Sequence, residues 1–225
     1  RVLEVRGRFA RGDEGLPTNR SVSFALIDAT VRNGRQGFDA YLVDRQDEST
    51  GGGGISLMGG NSLFYNVVVR DNQLRALTDP DSSSAQGAGV NAAMSRNDND
   101  SYRFVSSARF ERFALVDNLG FGDPPIDNHV VGGGAFVNGA DALYGDGVMF
   151  TNGTLAGNEA DSAGGLYVNG RFAGTFLTVH DNFVAANTVV SAFPGPRVLD
   201  GGAVGASTLS NTIVAGNRFG NLPRD

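Results

Sequence analysis

Residues 201–217 (GGAVGASTLSNTIVAGN) read as Gly-Gly-apolar, a short polar turn, an alternating run closed by Asn211 and a second run closed by Asn217. The same order recurs at residues 53–72, 133–158 and 164–187, with weaker copies at 89–118 and 23–33. The closing asparagines Asn33, Asn72, Asn118, Asn158, Asn187 and Asn217 are separated by 39, 46, 40, 29 and 30 residues. Internal periods of about 20–50 residues belong to solenoids, propellers and arrays. A propeller blade needs four strands and a recurring aromatic signature, and helical or leucine-rich repeats need apolar residues at helical spacing. Neither pattern is present. Three short β-runs per unit, with Gly and Asn between them, fit one turn of a parallel β-helix.

Composition agrees with a β-rich, turn-rich chain. Glycine is abundant, at 33 of 225 residues, and hydrophobic content is an ordinary 40%. Most acids are Asp, which favours turns, rather than the helix-forming Glu. All 18 basic residues are Arg, and the net charge is −6. That balance argues against nucleic acid as a partner, because phosphate binding needs clustered positive charge. No apolar run approaches the roughly 20 residues of a membrane-spanning helix, so no membrane insertion by this segment is expected. With no Cys, disulfides and thiolate metal sites are excluded. Starting at Arg1 without Met, the chain is expected to be a processed mature protein or an excised segment.

The corner residues have a physical reason. A sharp corner needs φ above zero, which Gly takes freely and Asn takes better than other residues. Asparagines stacked over one another can also hydrogen-bond along the stack, as amide ladders do. Six residues before the closing Asn stands a second one, at Asn66, Asn152 and Asn211, with Asp181 as a near substitute. Arg112 and Ile27 fill that slot in the two weaker copies. The β-branched and apolar residues between the two corners suit an inward-facing stack. The expected organisation is one domain over residues 1–225: a first turn or entry segment (1–22), repeats (23–217) and a tail (218–225). About six to seven turns would use the repeats.

The repeat resembles those of polymorphic outer membrane proteins and related autotransporter passengers. That family writes Gly-Gly-Ala-Ile and Phe-x-x-Asn. Here Gly201-Gly202-Ala203-Val204 stands for the first, and apolar-x-x-Asn at 69–72, 115–118, 155–158, 184–187 and 214–217 for the second, with Val or Leu in place of Phe. The resemblance implies a right-handed, single-stranded parallel β-helix of the pectin-lyase-like fold. It also implies export to the cell surface or beyond, and an adhesive or structural role without catalysis.

Chemistry has few candidates. Enzymes of the pectin-lyase-like fold act on polysaccharides and need acids or an Arg base converging in a cleft. A lyase or glycoside hydrolase on acidic polysaccharide is the alternative reading, with Asp117, Asp123, Asp127 and Arg112 as its residues. His180-Asp181 could imitate an acid/base pair beside Arg109 or Arg112. Calcium prefers several oxygen donors from loop carboxylates, and Asp79, Asp81, Asp98 and Asp100 are the best stretches for it. Solvated turn acids explain the same residues without a metal, so no cofactor is the leading expectation. His129, in a loop, carries no role. Surface carbohydrate or a host protein would meet the loops between each closing Asn and the next Gly-Gly. A β-helix also exposes unpaired backbone at its ends unless something covers it. No amphipathic helix is legible at either end, which makes flanking domains or head-to-tail stacking of copies the expected partners there.

Overall fold

The computed structural model describes residues 3–6, 10–11, 17–18, 23–38, 51–58, 61–76, 85–93, 107–122, 130–138, 147–169, 172–184, 197–199 and 208–220. Among them there is no helix, and every regular element is a strand. Three long sheets are parallel throughout, as a β-solenoid requires. The first runs in the order Leu3–Arg6, Ile55–Met58, Val90–Ala93, Ala135–Asn138, Leu166–Asn169, Arg197–Leu199. The second takes Ser23–Arg32, Asn61–Arg70, Ser107–Val116, Gly147–Ala156 and Phe172–His180, then Thr208–Ser210 with Ile213–Ala215. The third takes Arg35–Phe38, Gln73–Ala76, Leu119–Gly122, Glu159–Ala160, Phe183–Val184 and Arg218–Phe219. The chain visits the three sheets in turn, and each visit lays a strand beside its counterpart from the previous copy of the repeat.

The long strands of the second sheet bend in the middle. In Asn61–Arg70 the buried side chains are Ser62, Phe64, Val67 and Val69, so the alternation skips a place at Asn66. Asn66 has φ of 53° and is exposed. Its counterparts Asp28, Arg112, Asn152, Phe176 and Asn211 also have positive φ, between 48° and 55°. One left-handed residue per strand turns the chain and keeps both halves facing inward. Arg112 thus holds the slot read for it. Ile27 and Asp181 do not: Asp28 and Phe176 occupy those places.

Apolar rows fill the interior. Phe64, Phe110 and Phe150 share one row by strand register and are fully buried. Phe64 and Phe110 stack with ring centroids 4.3 Å apart, and Phe110 meets Phe150 edge-on at 4.9 Å. Burying each such ring contributes about 1.5–3 kcal/mol. Phe113 fits because its neighbour is Gly153, where a Cβ would lie 2.1 Å from the ring.

A continuous amide ladder closes the second corner. Asn72 Nδ2 donates to Asn118 Oδ1, Asn118 Nδ2 to Asn158 Oδ1, Asn158 Nδ2 to Asn182 Oδ1, and Asn182 Nδ2 to Asn217 Oδ1, each at 2.9 Å. Each Oδ1 also accepts the backbone N–H of the preceding rung. The second amide hydrogen goes to the carbonyl of Val31, Val69, Leu115, Leu155 or Val179 in that preceding rung. Asn72, Asn118, Asn158 and Asn182 are fully buried, a large polar inventory made tolerable by complete pairing.

Two rungs differ from the sequence expectation. Asn33 is an exposed corner residue with φ of 58°, and the ladder position is its neighbour Gly34, whose N–H donates to Asn72 Oδ1 at 2.9 Å. The other rung is Asn182, because Thr178, Val179 and His180 pair with Thr154, Leu155 and Ala156. Asn187 lies outside the described residues. With these corrections the positive-φ residue stands six before the ladder position in every copy: 28 and 34, 66 and 72, 112 and 118, 152 and 158, 176 and 182, 211 and 217.

The Gly-Gly signature belongs to the same device. A Cβ on Gly54, Gly89, Gly134 or Gly165 would sit 2.8–3.0 Å from the Nδ2 of Asn72, Asn118, Asn158 or Asn182. These glycines are flat lids on the ladder. Residues 201–207, with the Gly-Gly of the last copy, are outside the described residues.

Candidate functional site

Two corner rows of the second sheet carry exposed side chains. The first contains Asn66, Arg112, Asn152 and Phe176, one residue per strand. The second, before the ladder, contains Asn33, Asp71, Asp117 and Asp181 at φ of 52° to 58°, with Gly157 and Gly216 between and after them. Left-handed backbone makes each of these side chains point away from the stack.

Arg112 and Asp117, the two candidate catalytic residues within the described set, lie on opposite corners of the same rung. Five residues of strand at about 3.3 Å each hold their Cα atoms on the order of 16 Å apart. Arg112 Nη1 donates to the Tyr65 hydroxyl at 3.0 Å, and its guanidinium lies 5.7 Å from the centre of that ring. Beside it Arg109 pairs with Glu111 at 3.1 Å. His180 Nδ1 and Asp181 Oδ2 are 2.8 Å apart and exposed. That pair sits two strands beyond Val116 and at the opposite corner from Arg112. Asp123, Asp127 and His129, and the calcium candidates Asp79, Asp81, Asp98 and Asp100, lie outside the described residues. Among the described residues no three His, Cys, Asp or Glu side chains come together as a metal would need.

Three polar residues escaped the sequence reading. Asp161 Oδ2 accepts from the N–H of Gly122 at 2.8 Å and of Val130 at 2.9 Å, so one carboxylate ties together both ends of the segment 123–129. Nothing in the periodicity marks Asp161, since it falls between the ladder and the Gly-Gly pair. Ser56 and Asn91 are neighbours across the first sheet, fully buried, and Ser56 Oγ and both Asn91 amide atoms have no protein hydrogen-bond partner. Their strand positions are outward by alternation, so sequence predicts exposure for them. The tight approach of Gly51, where a Cβ would lie 2.5 Å from Asn91 Nδ2, contributes to that burial.

Comparison with protein-family models, with curated proteins and with solved structures found no match to this chain.

Proposed function

We propose that the chain is a right-handed, single-stranded parallel β-helix of about six to seven turns that works without catalysis as an exported structural or adhesive element. The right hand is the one that about 98% of parallel crossover connections take. In this reading the protein is a surface stalk, an adhesin module or a subunit of an extracellular fibre. Its partners are flanking domains or further copies at the stack ends, and surface carbohydrate or a host protein along its flank.

The observation that supports this reading is the unbroken ladder from Asn72 to Asn217, whose side-chain bonds join one rung to the next along the stack. Such a spine makes a stiff rod, and stiffness along an axis is what a stalk or fibre needs. The wide separation of Arg112 and Asp117 favours the same side, because acid/base catalysis needs its groups within reach of one bond.

Electron micrographs of the native material are the direct test, with rods, stalks or filaments expected. Incubation with acidic polysaccharides is the complementary one. Unsaturated products or new reducing ends, abolished by Asp117→Ala, would overturn the proposal in favour of a lyase or hydrolase. Titration calorimetry with calcium chloride should show no binding, and heat lost in Asp98→Asn or Asp79→Asn variants would assign a calcium site instead.

A further inference from the structure

We propose that Ser56 and Asn91 hold an internal water on the outer side of the first sheet, and that this water joins two rungs where the amide ladder does not reach. The two residues stand opposite each other on neighbouring parallel strands, and both are fully buried. Ser56 Oγ, Asn91 Oδ1 and Asn91 Nδ2 have no hydrogen-bond partner in the protein. Turning the Asn91 amide over exchanges its oxygen and nitrogen and so satisfies neither. A buried polar atom left unpaired carries the whole cost of its desolvation, and the large majority of such atoms in folded proteins have a partner. Three of them on one facing pair of residues require a ligand.

The chemistry of the three atoms selects the ligand. The hydroxyl both donates and accepts, the amide oxygen only accepts, and the amide nitrogen only donates. A metal cation would leave the amide nitrogen unpaired, and an anion would leave the amide oxygen unpaired. The ligand is therefore neutral and carries both functions. Neither residue has any surface open to solvent, so the fold encloses that ligand completely. Water is the smallest molecule that meets these conditions. Strands about 4.8 Å apart place the two side chains within the span of one bridging water, whose two bonds of about 2.8 Å reach roughly 5.6 Å.

Two walls of the site are apolar or backbone. Phe136 continues the row beyond Asn91, is 5% exposed, and stacks on Tyr167 with ring centroids 5.1 Å apart. Its ring has no hydrogen-bonding atom to offer the amide. The turn at Gly51 and Gly52 closes against the same pair: a Cβ on Gly51 would lie 2.5 Å from Asn91 Nδ2, and one on Gly52 would lie 2.9 Å from Ser56 Cβ. Neither wall supplies the missing bonds. An internal water makes about three hydrogen bonds, and three atoms are available to it here. A bridge of this kind is nearly as favourable in enthalpy as a direct hydrogen bond. Ser56 and Asn91 thus tie two rungs together on the first sheet, as Asn72 and Asn118 do at the corner before the third.

A high-resolution crystal structure of the wild-type chain tests the proposal directly. Density for a water is expected within about 2.7–3.2 Å of Ser56 Oγ and of the Asn91 amide. Oxygen-17 magnetic relaxation dispersion, which counts long-lived internal waters in solution, is the second measurement. The Ser56→Ala/Asn91→Leu double variant removes all three polar atoms and should show a smaller count than wild type, with native circular dichroism. Ser56→Ala alone should lower the melting temperature, because the water loses a partner; removing a hydroxyl that nothing had satisfied would raise it. Ordered side chains with no density between them overturn the proposal, and so does an Asn91 amide turned onto a protein partner. An ion in the site, identified by its coordination distances, overturns it as well. An equal count of long-lived waters in the double variant, or a higher melting temperature for Ser56→Ala, has the same force. If the double variant does not fold, the wild-type density decides alone.

Discussion

Replacing Asn118 by alanine removes the centre of the ladder, and the structure allows the cost to be worked out. Asn118 Oδ1 accepts from Asn72 N at 3.3 Å and Asn72 Nδ2 at 2.9 Å, and its Nδ2 donates to Val69 O at 3.0 Å and Asn158 Oδ1 at 2.9 Å. The backbone N–H of residue 118 keeps its bond to Asn158 Oδ1. Asn72 Nδ2 keeps Val31 O. The buried Asn72 N–H is stranded, at about 1–3 kcal/mol, and the other three side-chain bonds of Asn118 are lost at about 0.5–1.5 kcal/mol each. A total near 4 kcal/mol is expected. The control is Asn66→Ala at the exposed corner, which loses one surface bond to Asp28 and places alanine at positive φ, for about 1–2 kcal/mol. Asn182→Ala should match Asn118→Ala, whereas Asn33→Gly should be nearly neutral. Urea unfolding followed by far-ultraviolet circular dichroism gives the difference from the midpoints. Repeat stacks can lose cooperativity, so hydrogen exchange at the Asn72 amide is the local readout. Asn118→Ala falling within about 1 kcal/mol of Asn66→Ala would refute the claim that the ladder, rather than the corner, holds the rungs together.

Gly134→Ala should be strongly destabilising, by about 3 kcal/mol or more, because its Cβ would meet Gly165 O at 2.4 Å and Asn158 Nδ2 at 3.0 Å; thermal unfolding reads this directly. Phe176→Asn should stabilise by about 1 kcal/mol, since Phe176 is 56% exposed at φ of 55° and Asn prefers that conformation; a lower melting temperature would show that the ring has a packing role. Asp161→Ala should leave the melting temperature within a few degrees but expose the segment 123–129 to limited proteolysis, because the N–H groups of Gly122 and Val130 lose their shared acceptor. An unchanged cleavage pattern would mean that other contacts hold that segment.

The sequence carried much of this architecture because one letter recurs, and it misled where that letter serves two purposes. Asn takes the left-handed corner and Asn bridges the rungs, so Asn33 and Asn66 look like Asn72 although only Asn72 is in the ladder. At residues 179–187 two readings fit equally well: Val179 precedes Asn182 by three, and Val184 precedes Asn187 by three. Local pattern does not separate them. The pairing of Thr178 with Thr154 does, and that is a contact between distant segments. Asp161, Ser56 and Asn91 were illegible for a different reason. Their surroundings come from the route of the chain outside the three sheets, which no alternation of polar and apolar residues encodes. The acids proposed for calcium and for catalysis, Asp117 and Asp181 apart, lie outside the described residues.

The glycines show which of two physical demands the repeat enforces more strictly. Gly52, Gly87 and Gly132 share a row with φ of 68° to 81°, and the fourth member of that row is Ala163 at φ of 53°. The corner row six before the ladder likewise accommodates Arg112 and Phe176. A left-handed residue that is not glycine costs about 1–2 kcal/mol, which a stack with this much buried apolar surface can absorb. The row Gly54, Gly89, Gly134 and Gly165 admits no such exception among the described residues, because there the obstacle is an atom rather than a torsion. A methyl group in that row would have to displace a buried amide that is bonded on both sides, and so would disturb two rungs at once. The separation between successive rungs ranges from 24 to 46 residues, yet each glycine still meets its asparagine. What repeats in this chain is therefore a contact, glycine over asparagine, and the count of residues between the two is free to vary.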